Sequence, residues 1–367
     1  MFYWLYEVLY DPDTPFKILR LFKYLTFRTI YSTVTAFLLS FLLGPVMIRW
    51  LKRAQIKDES WKQGMIDVAH KSGTPTMGGL LIIIAFLIPS LLWCNLANPY
   101  VQVILTATIW FGLLGGLDDY LKLKRGKSGL AERYKYIGQI VFGTGLAITL
   151  LYTTYSPLPG NLAPALFIPF IKGPILNLGI LYLVFITLVI VGSTNAVNMT
   201  DGLDGLAIVP VMLVSVIMGV FAYVMGNIKH AEYLHYAYLD GAGEICVICA
   251  AVAGAGIGFL WYNTYPAQLF MGDIGSLALG GVLGTVAILI KQEFILFLAG
   301  GVFVIEAASV LLQKYIFTNW VGRRLFMRAP LHDTFKYRGI AEPKVVVRFW
   351  IISVIFALLS LSTLKLR

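Results

Sequence analysis

The sequence predicts an all-α polytopic membrane protein: about ten transmembrane helices, both termini outside, and the active-site loops on the cytoplasmic face. Two observations predict it. Of 367 residues, 58% are hydrophobic and 13% charged, where soluble proteins carry about 25% charged residues. Mean hydropathy is +0.78. Ten apolar runs then recur, near 30–50, 77–98, 100–118, 135–154, 175–193, 204–225, 243–261, 275–290, 294–313 and 345–363. A spanning helix needs roughly 20 such residues, so 1–367 reads as one integral membrane domain, with an interfacial segment 1–29 and a ten-helix bundle 30–363.

The net charge of +10 would suggest nucleic acid in a soluble protein; here its placement sets topology instead. Numbering loops by the helices they join, loop 1/2 holds Arg49, Lys52, Arg53, Lys57, Lys62 and Lys71. Loop 3/4 holds Lys122, Lys124, Arg125, Lys127, Arg133 and Lys135, and loop 9/10 holds Lys314, Arg323, Arg324, Arg328, Lys336, Arg338, Lys344 and Arg348. Basic residues stay on the cytoplasmic side, so the odd loops face inward. Lys17, Arg20, Lys23 and Arg28 stand among aromatics with no cleavable signal pattern, as in an amphipathic lead-in along the interface.

Loop 1/2 ends His70-Lys71-Ser-Gly-Thr-Pro75-Thr76-Met-Gly78-Gly79, with Thr76 as a candidate helix cap. Lys71 reads either as an anion-binding lysine beside a helix start or as a snorkelling one. Helix 3 ends in Asp118-Asp119. Adjacent helical residues point about 100° apart, which sets one aspartate to the reaction and the other to a lysine. Both oppose the dipole expected at that helix end.

The longest polar interruption runs Asn195-Ala-Val-Asn198-Met-Thr-Asp201-Gly202-Leu203-Asp204-Gly205. Asn198, Asp201 and Asp204 would share a face if helical. Carboxylates beside spanning segments are costly and mark functional sites. Loop 7/8 carries Asn263, Phe270 and Gly272-Asp273; Asp273 reads as a helix cap or, beside two other acidic clusters on the same face, as a ligand for a hard cation. Helix 9 holds Glu306 and Gln313, followed by an interfacial basic stretch and His332.

Other motifs read blandly. Cys246 and Cys249 lie in an apolar run without nearby His, as packing residues. His230, Glu232, His235 and Asp240 read as a solvated outer loop. Gly254, Gly256 and Gly258 lack the preceding strand of a dinucleotide site and suit close helix packing.

Lys71 with Thr74-Pro-Thr-Met-Gly-Gly79, Asp118-Asp119, Asn195 to Ala207, and Phe270-Met-Gly-Asp-Ile-Gly-Ser276 together resemble the phospho-N-acetylmuramoyl-pentapeptide transferases, over essentially the whole chain. The Thr-Pro-Thr-Met-Gly-Gly stretch separates these from other polyprenyl-phosphate N-acetylhexosamine-phosphate transferases. The resemblance implies a bacterial inner-membrane enzyme of peptidoglycan synthesis, homodimeric and not a nucleic-acid binder. Its partners would be UDP-N-acetylmuramoyl-pentapeptide, undecaprenyl phosphate and membrane lipid, its products lipid I and UMP, and its cofactor Mg²⁺. By the same resemblance Asp273 contacts Mg²⁺, and Asp118 or Asp119 activates the lipid phosphate. Lys71, Asp201, Gly202, Leu203, Asp204, Asn263 and Phe270 form the nucleoside pocket, while Thr76, Asn198 and Gln313 line its approach. One departure stands out. Where the family usually shows three histidines, Phe or Leu, then Glu, this chain reads His332-Asp333-Thr334-Phe335-Lys336: either His332 is the catalytic histidine, or turnover here is altered.

Overall fold

The computed structural model describes residues 1–11, 13, 15–54, 56, 73–125, 129–153 and 155–366. Its helices are α1 (Phe2–Leu9), α2 (Leu25–Arg53), α3 (Gly79–Trp93), α4 (Pro99–Arg125), α5 (Glu132–Tyr152), α6 (Leu181–Thr200) and α7 (Ile208–Met225). They continue as α8 (Ile228–Tyr233), α9 (Gly243–Asn263), α10 (Gly272–Leu289), α11 (Glu293–Ala299), α12 (Gly301–Leu311), α13 (Leu331–Tyr337) and α14 (Glu342–Ser362). A π-helical turn over Leu312–Val321 prolongs α12. Between α5 and α6 a small antiparallel hairpin pairs β1 (Ala165–Leu166) with β2 (Leu176–Asn177).

The fold is an all-α polytopic membrane architecture. Each of the ten expected apolar stretches overlaps a helix, and among the described residues eight helices are long and apolar enough to cross a bilayer. The two that fall short do so for physical reasons. Apolar α3 is 15 residues long, under the roughly 20 that hydrocarbon thickness requires, and α5 opens on the polar run Glu132-Arg133-Tyr134-Lys135.

Helix–helix contact in hydrocarbon gains little from hydrophobicity and relies on close packing of small residues. On α2, Ser32, Ala36, Ser40 and Gly44 are buried at every fourth position. That stripe meets α9, where Ser32 Oγ donates to Val247 O at 3.0 Å. A methyl group added at Gly254 would overlap the Thr33 backbone, and one at Gly258 would meet Phe37 O. The glycine series in α9 is thus a contact surface, as expected. All three cysteines are free thiols.

Helix α10 is the most enclosed element, with 89% of its apolar window buried. It packs on α4, α6 and α3, and glycines bring the backbones together: Gly115 lies on Asp273 and Ile274, Gly79 on Gly275, and Gly280 on Ser193 and Thr194. One large apolar core runs through these helices. A second, smaller core is separate from it and consists of Leu203, Leu206, Val302, Val345, Val346 and Phe349.

Both described chain ends lie at the same end of the bundle. The Met1 amino group donates to Leu91 O at the far end of α3, and Lys365 Nζ reaches Tyr233 OH. At that end Arg28, grouped above with the interfacial basic residues, lies inside α2 and is 2% exposed. Helix α2 takes in Arg28 because this guanidinium finds a half-buried carboxylate: Arg28 Nη1 and Nη2 donate to Glu244 at 2.7 and 2.6 Å, and Nη1 also to Trp93 O at 3.0 Å. Glu244 Oε2 accepts from Asn95 N as well. One fork ties α2, α9 and the end of α3 together. Removing one partner of a buried pair strands the other charge, at a cost of about 3–5 kcal/mol. Arg28→Ala is expected to lower stability by that order in detergent unfolding, with Arg28→Met/Glu244→Met recovering most of the loss.

Candidate active site

At the opposite end of the bundle, three aspartates converge. Asp118 and Asp119 sit on α4, which continues to Arg125; they are two turns inside the helix, not at its end, so the expected clash with its dipole does not arise. Asp273 lies in the first turn of α10, where a carboxylate is favoured by the free amides and the dipole. It is not the cap residue, which is Met271. One oxygen of each carboxylate lies within 4.8 Å of the others. The 100° offset between Asp118 and Asp119 does not separate them, because α10 is close enough for both side chains to reach it.

The two aspartates nevertheless divide their work. Asp119 accepts from the backbone of α10, Oδ1 from Asp273 N at 3.1 Å and Oδ2 from Ile274 N at 3.0 Å. Asp118 takes both lysines, although Lys122 Nζ also stands 3.5 Å from Asp119 Oδ1. Asp118 Oδ2 is 2.6 Å from Lys122 Nζ and 2.9 Å from Lys135 Nζ, while Oδ1 accepts from Leu130 N at 2.7 Å. Both ammonium groups continue to Asp273, Lys122 to Oδ1 at 3.0 Å and Lys135 to Oδ2 at 2.6 Å. Charge is thereby nearly balanced in an apolar surrounding, where unpaired carboxylates would be costly.

Two backbone segments frame this cluster. Gly78 N and Gly79 N donate to Phe270 O and Met271 O at 2.7 Å each, and Phe270 N donates to Pro75 O. The Thr74–Gly79 stretch is thus laced directly to the segment before Asp273. Gly272 has φ +74, and a side chain there would meet Asp119 Oδ2 and Thr76 Oγ1, so glycine is required for close approach. Thr76 does not cap α3, whose cap residue is Gly78 with no side-chain hydrogen bond; the backbone pairing with Phe270 and Met271 meets that need.

The Asn195–Gly205 stretch is helical only to Thr200. Beyond it the chain turns, with Gly205 at φ +77, so Asn198, Asp201 and Asp204 do not share a helical face. Asp201 already leaves helical geometry, at φ −77 and ψ 56, where a continuous helix would have aligned them. Asn198 Nδ2 donates to Ser276 Oγ on α10 at 2.8 Å. Asp204 Oδ2 accepts from Ala267 N, and buried Asn263 clasps the turn: Oδ1 accepts from Gly205 N, Nδ2 donates to Leu269 O. Leu203 is buried in the smaller core. Gly202 is exposed, with His332 Nε2 close against its α-carbon. Gln313 Oε1 accepts from Leu325 N and Phe326 N at 3.0 Å each, holding the chain that follows the π-helical turn. Lys71 lies outside the described residues.

The altered histidine segment is structurally coherent. His332 is buried against Glu306, with Nδ1 3.0 Å from Oε2. Thr334 Oγ1 donates to Arg328 O and accepts from Arg328 N. Lys336, where the family has Glu, pairs with Glu342 Oε2 at 2.8 Å, and Glu342 Oε1 accepts from Asp204 N.

Sequence reasoning placed Lys122 and Lys135 only among topology-setting charges. The four-residue step from Asp118 to Lys122 is the ion-pair spacing of a helix and was a usable signal. Lys135 and Glu306 reach the site only through helix packing, with no local cue beyond Glu306 lying in an apolar run.

Comparison with known proteins places the chain in a family. The glycosyl transferase family 4 pattern matches residues 101–291, and phospho-N-acetylmuramoyl-pentapeptide-transferase signature 1 matches 71–83. The phospho-N-acetylmuramoyl-pentapeptide-transferase of Geobacter sp. (strain M21) is 47% identical over 99% of this chain and 100% of its own length. The chain belongs to the phospho-N-acetylmuramoyl-pentapeptide-transferase family. The relative from Citrifermentans bemidjiense, of the same description, matches equally, at 47% over 99% and 100%. In this transferase family member, the described segments of signature 1 and of the family 4 match meet at the Gly78–Phe270 and Gly79–Met271 hydrogen bonds.

Asp201 provides a pH marker. Burial first, then the negative charges of Asp273, Asp119 and Asp204, push its carboxyl up to about 8 from an ordinary 3.8. A folded-state value above the unfolded one means that folding binds a proton between the two, so stability falls as pH rises from about 4 to about 8 and then levels. The melting temperature of the metal-free protein is expected to fall between pH 5 and 8, and Asp201→Asn to flatten that slope. An unchanged slope in the variant would remove Asp201 as its source.

Proposed function

We propose that this protein transfers phospho-N-acetylmuramoyl-pentapeptide from its UDP-linked donor to undecaprenyl phosphate, forming lipid I and UMP, at the cytoplasmic face of the bacterial inner membrane. The observation that carries the reading is the set of three carboxylates from α4 and α10, bridged by Lys122 and Lys135 at one end of an apolar bundle. In the reaction an oxygen of the lipid phosphate attacks the sugar-bearing phosphorus, and the bond to the uridine-side phosphate breaks. One phosphoanhydride replaces another, so positioning and charge neutralisation are the main demands.

The donor set suits Mg²⁺, which prefers hard oxygen ligands at about 2.1 Å. Asp273, with Asp118 and Asp119, would hold it, and it supplies charge neutralisation at the phosphates. Asp119, clamped by two α10 amides, keeps Asp273 in register with α4. Lys122 and Lys135, released from their carboxylates, meet the phosphate oxygens. The Asp201–Gly205 turn and Phe270 take the uridine end, and the lipid phosphate approaches from the membrane surface.

The test is UMP release in the presence of undecaprenyl phosphate and Mg²⁺, with UDP-N-acetylmuramoyl-pentapeptide compared against UDP-N-acetylglucosamine. Turnover of the first donor is expected; exclusive use of the second would assign a sibling transferase. Asp273→Asn is expected to reduce the Mg²⁺-dependent rate by more than about 100-fold, beyond the usual cost of losing an outer-shell partner, with the melting temperature retained. Near-normal turnover in that variant would overturn the metal assignment.

A further inference from the structure

His332 and Glu306 form a buried pair on α13 and α12, respectively 1% and 0% exposed. Two donors of one residue converge on one carboxyl group: His332 N lies 3.1 Å from Glu306 Oε1, and Nδ1 lies 3.0 Å from Oε2. The other ring nitrogen is not satisfied. Nε2 has no hydrogen-bond partner among the described residues, and Asp333 Oδ1, at 3.5 Å, is beyond ordinary hydrogen-bond length. A buried polar atom left unpaired costs about 1–3 kcal/mol and calls for an explanation. Nε2 faces the α-carbon of Gly202, where any side chain would overlap the ring. Gly202 is itself exposed on the Asp201–Gly205 turn.

We propose that Glu306 is a positioning residue for His332, fixing it as the Nδ1–H tautomer and holding a bare Nε2 lone pair beneath the Gly202 turn, where, once that turn shifts off the ring, it accepts a hydrogen bond from the bound nucleotide donor. The acceptor role rests on the transferase reading above; the tautomer does not. The chemistry follows from counting acceptors. A carboxylate offers two oxygens and satisfies both N–H groups, whereas an amide offers one oxygen and one NH₂. In Glu306→Gln the oxygen keeps the backbone N–H, the NH₂ donates to Nδ1, and the ring is forced into the opposite tautomer, with Nε2 protonated. A partner that sets which imidazole nitrogen carries the proton controls what the other nitrogen can do.

The chain has four histidines, so the ¹⁵N resonances of His332 in histidine-labelled protein are assignable by difference from His332→Gln. The wild type is expected to show Nδ1 protonated and Nε2 bare, and Glu306→Gln the reverse. The variant is also expected to lose about 10- to 100-fold in kcat, with Mg²⁺ binding and melting temperature retained. A wild-type ring protonated at Nε2 overturns the proposal without any variant, and so covers the case in which Glu306→Gln does not fold. A tautomer swap with unchanged kcat overturns it as well. A wild type that turns over no UDP-linked donor sinks the transferase reading, and the acceptor role with it, while the spectrum still decides the tautomer.

Discussion

Three carboxylates held within a few ångströms of one another inside an apolar bundle are tolerable only because two ammonium groups lie between them. Lys122 and Lys135 each bridge Asp118 and Asp273, and the remaining aspartate, Asp119, accepts from two backbone amides and stands 3.5 Å from Lys122 Nζ. Lys122 comes from α4 itself, but Lys135 comes from α5, so the balance of charge requires α5 to be held in register. A reciprocal amide pair does this one turn further along: Asn195 Nδ2 donates to Gln139 Oε1 at 2.7 Å, and Gln139 Nε2 returns to Asn195 Oδ1 at 3.4 Å. The first residue of the long polar interruption therefore serves the site at a distance, by fixing the helix that delivers a lysine.

Much of this was legible in the sequence, for identifiable reasons. Ten apolar runs gave the helices, because the bilayer imposes a length and an apolar composition on each span. Asp118-Asp119, the Asn195–Gly205 stretch and Asp273 announced themselves by being polar where polarity is expensive. What escaped was set by contacts distant in sequence. Arg28 looked interfacial because its partner Glu244 is 216 residues away. The i, i+3 spacing of Asn198, Asp201 and Asp204 offered a shared face only if helical, and it does not register the turn that begins at Asp201. Lys135 and Glu306 carried no local sign of the carboxylate and the imidazole they serve. Lys336, a departure from the family pattern when read alone, finds Glu342 in place, and that pairing became visible only once α13 lay beside α14.

The site also straddles a seam. Asp118, Asp119 and Asp273 ride on helices of the large core, locked by glycine contacts that leave no slack between α3, α4 and α10. The turn bearing Gly202 and Leu203 belongs, with α12 and α14, to the small separate core. Local opening costs least where few apolar groups are buried. One jaw of the site is therefore an anvil and the other a spring: strain at the cluster is borne on the Gly202 side, while the wall that carries the carboxylates keeps its shape.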